Sequence, residues 1–351
     1  MELNEEKLHE FLGKMVVEMG AAANGALIIL GDKLGLYKEL SSNGPMTSQQ
    51  LADATETTER YVREWLSAQA ASGFVKYHRE NENFSMTPEQ TAVFADKNSP
   101  VLMTGAFYAI SSMYHDEPKI EHAFKSGEGV SWGDHDSCLF CGTEKFFRPS
   151  YKANLISNWI PSLRGVKEKL ENGGKVADVG CGHGVSTMVM AQAFPKSQFI
   201  GYDFHEPSIA HATAMAKEKG LDNITFKVAA AKNFSGTGFD LVAFFDCLHD
   251  MGDPVGACSH VVKSLKPDGT CLIVEPFAHD TLEENLNPVG RAMYSFSTMI
   301  CTPSSISQEV GLGLGAQAGE KRLKDVAIAG GFSQFRRATE TPFNLILEAK
   351  P

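Results

Sequence analysis

The chain has no surplus of positive charge. Its 32 lysines and arginines face 43 aspartates and glutamates, a formal net charge of -11 at pH 7. A protein that grips a duplex carries a basic face to meet phosphates. Overall acidity leaves room for a local basic patch, but nucleic acid is not the expected partner. Uninterrupted apolar runs of bilayer length are not evident either. Met1-Glu-Leu-Asn-Glu-Glu6 opens acidic and polar, unlike a basic-then-apolar secretory leader. The expectation is a cytoplasmic protein with no membrane partner. Internal repeats and low-complexity stretches are missing. Cysteines are few and odd in number: Cys138, Cys141, Cys181, Cys247, Cys258, Cys271 and Cys301. Most sit among apolar or glycine residues, which fits reduced thiols better than a disulfide framework. His135-Asp136-Ser-Cys138-Leu-Phe-Cys141 invites a zinc reading, but a structural zinc site wants four ligands and no second cysteine pair lies nearby. No metal is expected.

What is present is ordinary globular composition, 43% hydrophobic and 21% charged, in a chain of 351 residues, long enough for two domains. Three segments are expected, 1–100, 101–170 and 171–351. Phe11, Leu12, Met15, Val16 and Met19 recur at helical spacing, and so apolar a helix suggests packing against another subunit. Residues 33 to 87 read as helix, helix, helix and hairpin. Leu34, Leu36, Tyr37 and Leu40 mark the first helix, and Asn43-Gly44-Pro45 a turn. Thr47 caps the second with Gln50 in the capping-box position. Thr57 or Thr58 starts the third, closed by Gly73. Phe74–Tyr77 and Phe84–Thr87 form the hairpin. That succession is a winged helix. Its recognition-helix candidate carries only Arg60 and Arg63, offset by Glu59 and Glu64, so dimerisation is favoured over DNA binding. Residues 100 to 170 look helical, broken near 126 to 143, with a further helix from Tyr151 to about Leu163.

From Lys175 the pattern alternates strand and helix. Strand candidates are Val176–Val179, Phe199–Tyr202, Thr225–Val228, Leu241–Phe245 and Cys271–Val274, the last entered through a tight turn at Pro267-Asp268-Gly269. Near-continuous apolar strands joined by helices imply a parallel sheet covered on both faces. Phe332–Arg337 and Phe343–Leu347 read as a closing antiparallel pair. The segment 277–316 is long for a connection and holds Met293, Tyr294, Phe296, Met299 and Ile300. It forms either a substrate lid or a helix packed into the core. Gly311-Leu-Gly313-Leu-Gly315 follows no clear strand and reads as a flexible loop.

The strongest motif is Val176-Ala-Asp178-Val-Gly180-Cys-Gly182-His-Gly184, between the first strand and a helix. Glycines there permit positive φ and close approach of backbone to a ligand. Asp203, ending the second strand, can accept hydrogen bonds from two ribose hydroxyls. A dinucleotide fingerprint needs its third glycine at position 185, which is Val185. Asp178, two residues before the first glycine, suits a ligand with an ammonium group and no pyrophosphate. The arrangement favours S-adenosylmethionine over a nicotinamide cofactor.

On these residues the chain resembles the class I methyltransferases over 175 to 350. With residues 33 to 87 added, it resembles the O-methyltransferases of small molecules that carry an N-terminal winged-helix dimerisation domain. The resemblance implies an α/β fold: an α-rich winged-helix domain, then a Rossmann-like, mostly parallel seven-stranded sheet with helices on both faces. It implies a homodimer formed through the N-terminal domain. It places adenosine over Gly180 and Gly182, ribose on Asp203, and adenine near Phe204, Ala230 and Ala231. The loop after the third strand departs from the family's Gly-Asp, reading Ala229-Ala230-Ala231-Lys232. The adenine contact is therefore expected from backbone groups or Lys232. Methionine is expected toward Asp178, Asp246 and Cys247, with Phe147 and Tyr151 covering the site.

The second motif, Cys247-Leu-His249-Asp250-Met-Gly-Asp253-Pro, follows the fourth strand. His249 matches the family's general base, and Glu275, ending the fifth strand, matches an acid that orients it. The chemistry asks for a base: a phenolic hydroxyl, pKa about 10, is protonated at neutral pH, and imidazole can take the proton as the bond forms. Where the family has a second supporting acid, either Gln317 or Glu320 stands here, and a Gln would leave the base less well supported. O-methylation of a small-molecule acceptor is the leading expectation. N- or C-methylation on the same scaffold, or a winged-helix regulator that senses the cofactor, are the alternatives.

Overall fold

A computed structural model describes residues 3–351. The chain forms two compact units. One takes Met1–Ser111 with Cys141–Pro149, the other Ser112–Phe140 with Ser150–Pro351. The expected connector, 101–170, is thus shared between them.

In the first unit, helix α1 (Glu5–Lys33) starts at Asn4, whose side chain accepts from the Lys7 amide. Its C-terminal part is anchored: Ile28 is buried, and the Trp65 indole donates to the Leu27 carbonyl at 2.9 Å. Phe11, Leu12, Met15, Val16 and Met19 stay exposed. By length and composition α1 alone among the described residues is long and apolar enough to cross a bilayer, a test that core helices also pass. The apolar run within it is not continuous. Glu18 and Asn24 interrupt the apolar run without lowering its average enough.

Helices α2 (Leu36–Asn43), α3 (Ser48–Ala54) and α4 (Glu59–Ala71) follow, with both halves of the Thr47–Gln50 capping box formed and Thr58 preceding α4. Strands β1 (Lys76–His78) and β2 (Asn83–Ser85) pair antiparallel, and Met46 bridges to Phe84. Tyr37, Leu40, Leu51, Trp65 and Leu66 form the core. This is the winged helix. Arg60 pairs with Glu64 and Arg63 with Glu59, each at 2.6 Å, so both arginines of α4 are countered within one helix. Helix α5 (Pro88–Phe94) ends this part.

Helices α6 (Thr104–Ser126) and α7 (Cys138–Asn154) contribute to both units. The helix expected to begin at Tyr151 is instead the continuation of α7 through Pro149. Proline removes one donor from the ladder, and here the helix tolerates that loss. It passes through a π-helical stretch, Leu155–Trp159, into α8 (Ile160–Ser162).

The second unit is built on seven strands: β3 (Lys175–Val179), β4 (Gln198–Asp203), β5 (Ile224–Val228), β6 (Phe239–Phe245), β7 (Leu265–Pro276), β8 (Gln334–Glu340) and β9 (Asn344–Lys350). Their order is β5-β4-β3-β6-β7-β9-β8. The first five are parallel, and β9 runs antiparallel to both β7 and β8. Helices α9 (Val166–Glu171), α10 (Val185–Ala193), α11 (Glu206–Glu218) and α12 (Pro254–Ser264) lie between the parallel strands or before them. Every residue of β6 is buried, as expected of a central strand covered on both faces. The turn expected at Pro267-Asp268-Gly269 lies inside β7. Leu265 pairs with Phe239 and Thr270 with Leu241, so residues 266 to 269 bulge out of the ladder.

After β7 come α13 (Pro288–Phe296), a π-helical stretch Ser297–Cys301, α14 (Thr302–Ile306) and α15 (Gly319–Ala329). The strand order reverses between β3 and β6. In an open parallel sheet that reversal opens a crevice at the carboxyl ends of the strands. Val179, Asp203, Phe245 and Glu275 all stand at or next to those ends.

Candidate active site

The turn leaving β3 is shaped by glycine. Gly180, Gly182 and Gly184 have φ of 76°, 50° and 74°, a region other residues avoid. A Cβ on Gly184 would lie 2.5 Å from the Phe226 ring, and one on Gly180 2.6 Å from the Cys247 sulfur. A Cβ on Gly182 would meet nothing within 4 Å, so this face of the turn is open to a ligand. Gly180 and Cys181 donate to the Tyr202 carbonyl at 2.7 and 3.0 Å, which ties the turn to β4.

Asp203 is buried and already accepts twice, from the Gly182 amide at 2.9 Å and the His205 amide at 2.8 Å. A carboxylate has about four acceptor positions, so each oxygen keeps one for a ligand hydroxyl. Phe204, beside it, is half exposed. Ala230 and Ala231 follow β5, where the Ala229 amide donates to the Asp203 carbonyl at 2.9 Å. Lys232 is turned to the surface and paired with Glu309, which leaves backbone as the candidate adenine contact.

Asp178 is wholly buried. One oxygen accepts from Ser186 and Thr187, each at 2.6 Å, fixing the first turn of α10, and the other has no partner. Burial, aided by the charge of Asp203, pushes its carboxyl up to about 6. An unpartnered buried carboxylate oxygen fits a ligand ammonium, so the residues present suit the cofactor expected from the motif.

At the end of β6, Asp246 has φ of 50° and accepts from Tyr151 Oη and Asn344 Nδ2, both at 2.9 Å. Burial first, then the charge of Glu275, raises its carboxyl to about 8. Tyr151 and Asp246, expected separately, are thus one hydrogen-bonded pair. Asn344, on the antiparallel β9, gave no signal in the sequence. The Cys247 thiol lies over Gly180 and donates to the Val179 carbonyl at 3.2 Å. Phe147 belongs to the other unit, where its ring meets Phe146 edge-on.

His249 sits on a short 3-10 turn, Leu248–Asp250, and is 3% exposed. Glu275, equally buried on β7, grips this turn twice. One oxygen accepts from the Leu248 amide at 3.0 Å, the other from His249 Nδ1. Asp250 Oδ1 lies 3.1 Å from Nε2. Burial works against the imidazolium, but the charges of Asp250 and Glu275 outweigh it, so the imidazole is held well above its usual range. The expected flexible loop is also anchored here: Leu312 donates to Gly252, and Gly315 to the His249 carbonyl at 3.3 Å. Of the two expected supporting residues, Glu320 is paired with Arg337 near the surface. Gln317 donates to the Ala316 carbonyl at 3.1 Å, and its oxygen is buried without a partner. Neither is placed against the imidazole by a hydrogen bond.

Comparison with known proteins bears on the two domains. Residues 170–322 match the family model described as a methyltransferase domain, and residues 22–96 the Rv2258c-like winged HTH domain. The chain is similar to a ubiquinone biosynthesis O-methyltransferase of Leptothrix cholodnii, 35% identical over 127 residues, which are 34% of this chain and 52% of that protein. The chain spans about half the length of the first curated relatives it matches. Among solved structures it resembles human N-acetylserotonin methyltransferase in complex with SAM, with TM-score 0.69, 15% identity, and 100% and 99% of the two chains covered. An O-methyltransferase family protein from Burkholderia thailandensis gives TM-score 0.69 at 15% identity over 97% of each chain. The chain therefore joins a segment matching a winged helix-turn-helix domain to one matching a methyltransferase domain.

Proposed function

We propose that the protein transfers a methyl group from S-adenosylmethionine to an oxygen of a small-molecule acceptor, with His249 as general base. The buried Glu275–His249 pair, set at the crevice beside the glycine turn, carries this reading. The cofactor supplies an electrophilic methyl group on a sulfonium. Asp203 and the open face of Gly182 would hold its ribose and adenosine. Phe204, Ala230 and Ala231 would flank the adenine, while Asp178, Asp246 and Cys247 would face its amino-acid end, with Tyr151 as cover. Glu275 accepts the Nδ1 proton of His249 and so fixes the tautomer with its lone pair on Nε2. That lone pair would take the acceptor hydroxyl's proton as the oxygen–carbon bond forms and the sulfur–carbon bond breaks, with S-adenosylhomocysteine as the leaving group. The pairing of both α4 arginines with acids supports an enzyme over a DNA-binding regulator. The exposed apolar face of α1 supports a homodimer formed through the N-terminal domain.

Calorimetric titration with S-adenosylhomocysteine, with NADH for comparison, tests the cofactor. Binding of NADH alone would overturn the reading. A panel of phenols, scored by S-adenosylhomocysteine release, then tests the acceptor. His249→Ala is expected to lose about 100- to 10,000-fold in turnover while binding S-adenosylhomocysteine as before.

A further inference from the structure

The imidazole of His249 faces more than a proton acceptor's task requires. Beyond Nε2 stand the carboxylate of Asp250 and the thiol of Cys301, and the three donor atoms all lie within 4.8 Å of one another. They come from two separate elements, the turn after β6 and the π-helical stretch Ser297–Cys301. His249 and Cys301 are more than nine-tenths buried. Asp250 Oδ1 is closed to solvent, lies 3.1 Å from Nε2 and makes no well-formed hydrogen bond. A nitrogen, an oxygen and a sulfur therefore converge on one small volume that hydrogen bonds leave partly unsatisfied.

We propose that His249 Nε2, the Asp250 carboxylate and Cys301 Sγ form a binding site for a thiophilic divalent cation of the zinc class. Mixed nitrogen, oxygen and sulfur donors suit such an ion, and three protein ligands leave a fourth position open. Glu275 on Nδ1 completes the pattern, because metal-bound histidines nearly always donate their other ring N–H to a carboxylate or carbonyl. Coordination forms metal bonds to nitrogen, oxygen and sulfur and displaces the thiol proton, and the Nε2 proton of the imidazolium, to buffer. It also takes the Nε2 lone pair, so a bound ion blocks His249 from accepting a proton. The sequence hid this site because its ligands are two neighbours and a third residue on a distant insertion.

The test is titration of chelator-treated, full-length protein with zinc by calorimetry and with cobalt by absorption. Its readout is the metal itself, so failure leaves the reading of His249 as a base standing. One zinc per chain is expected at this site, with a thiolate-to-cobalt charge-transfer band. Cys301→Ser is expected to abolish the band and weaken zinc by about 100-fold or more, at least the loss usual for an outer-shell partner. Equal zinc affinity in wild type and Cys301→Ser, or no thiolate band in wild type, overturns the site. If Cys301→Ser does not fold, Asp250→Asn replaces it, and unchanged zinc affinity there overturns the proposal equally.

Discussion

Replacing Glu275 with glutamine changes one atom type at nearly constant shape, and the hydrogen bonds around it dictate the result. The carboxylate accepts from two donors at once, the Leu248 amide at 3.0 Å and His249 Nδ1. Glutamine offers one acceptor oxygen and one NH2. If its oxygen keeps the Leu248 amide, the NH2 meets Nδ1 and drives the ring proton to Nε2, where a base needs its lone pair. If the oxygen turns to Nδ1, the Leu248 amide is left facing a donor inside the core, at a cost of about 1–3 kcal/mol. The base competes against one of these penalties in every turnover. Loss of the carboxylate charge adds to it, since a charge-assisted hydrogen bond is worth roughly twice a neutral one. Glu275→Gln is therefore expected to lower kcat by about 100-fold or more, within the 100- to 10,000-fold range of general-base catalysis. The Kd for S-adenosylhomocysteine should stay within about threefold, because the open face of Gly182 and Asp203 are not touched. The pH profile should move too. The acidic limb of kcat in wild type is expected above the usual histidine range, about 6.5, because Asp250 and Glu275 hold the imidazolium. It should fall in the variant. Turnover is read as S-adenosylhomocysteine release on the best phenol of the panel, and circular dichroism confirms folding. An unchanged kcat with an unchanged acidic limb would refute the orienting role of Glu275.

Asp203→Ala removes a carboxylate expected to take two ribose hydroxyls, each charged hydrogen bond being worth about 1.5–3 kcal/mol. Calorimetry should show S-adenosylhomocysteine binding at least about 100-fold weaker. Gly180→Ala forces φ of 76° on a residue with a Cβ 2.6 Å from the Cys247 sulfur. The left-handed conformation alone costs about 1–2 kcal/mol, so the Tm should fall by several degrees, and adding Cys247→Ala should restore only the part due to the clash. Asp246, raised to about 8 against about 3.9 in the unfolded chain, binds its proton more tightly when folded. The ligand-free protein should therefore lose stability as pH climbs from 4 through 8, and Asp246→Asn should flatten that dependence in thermal melts. Phe11→Asp together with Val16→Asp places charge on the exposed apolar face of α1 and should convert a dimer into a monomer of 38.1 kDa by sedimentation.

What the sequence displayed and what it concealed divide along a physical line. Thr47–Gln50 and the turn from Gly180 to Gly184 were legible because capping and left-handed turns are local: the residues that make them also reveal them. The alternation of strand and helix, and hence the crevice between β3 and β6, was legible because burial on both faces leaves near-continuous apolar strands. The bulge at 266–269 was not, since a Pro-Asp-Gly turn reads the same whether it precedes a strand or interrupts one. Asn344 and Cys301 were missed for a different reason. Each lies far along the chain from the residues it meets, and neither asparagine nor cysteine marks itself as functional without those partners. The glycine run at 311–315 shows the same limit from the opposite side. Its spacing suggests freedom, yet its amides close on Gly252 and on the His249 carbonyl. His249, past the end of β6, thus meets three stretches that the sequence separates: β7 through Glu275, the π-helical stretch through Cys301, and the glycine run through its backbone. Substitutions in the last two should alter the imidazole without touching the cofactor turn.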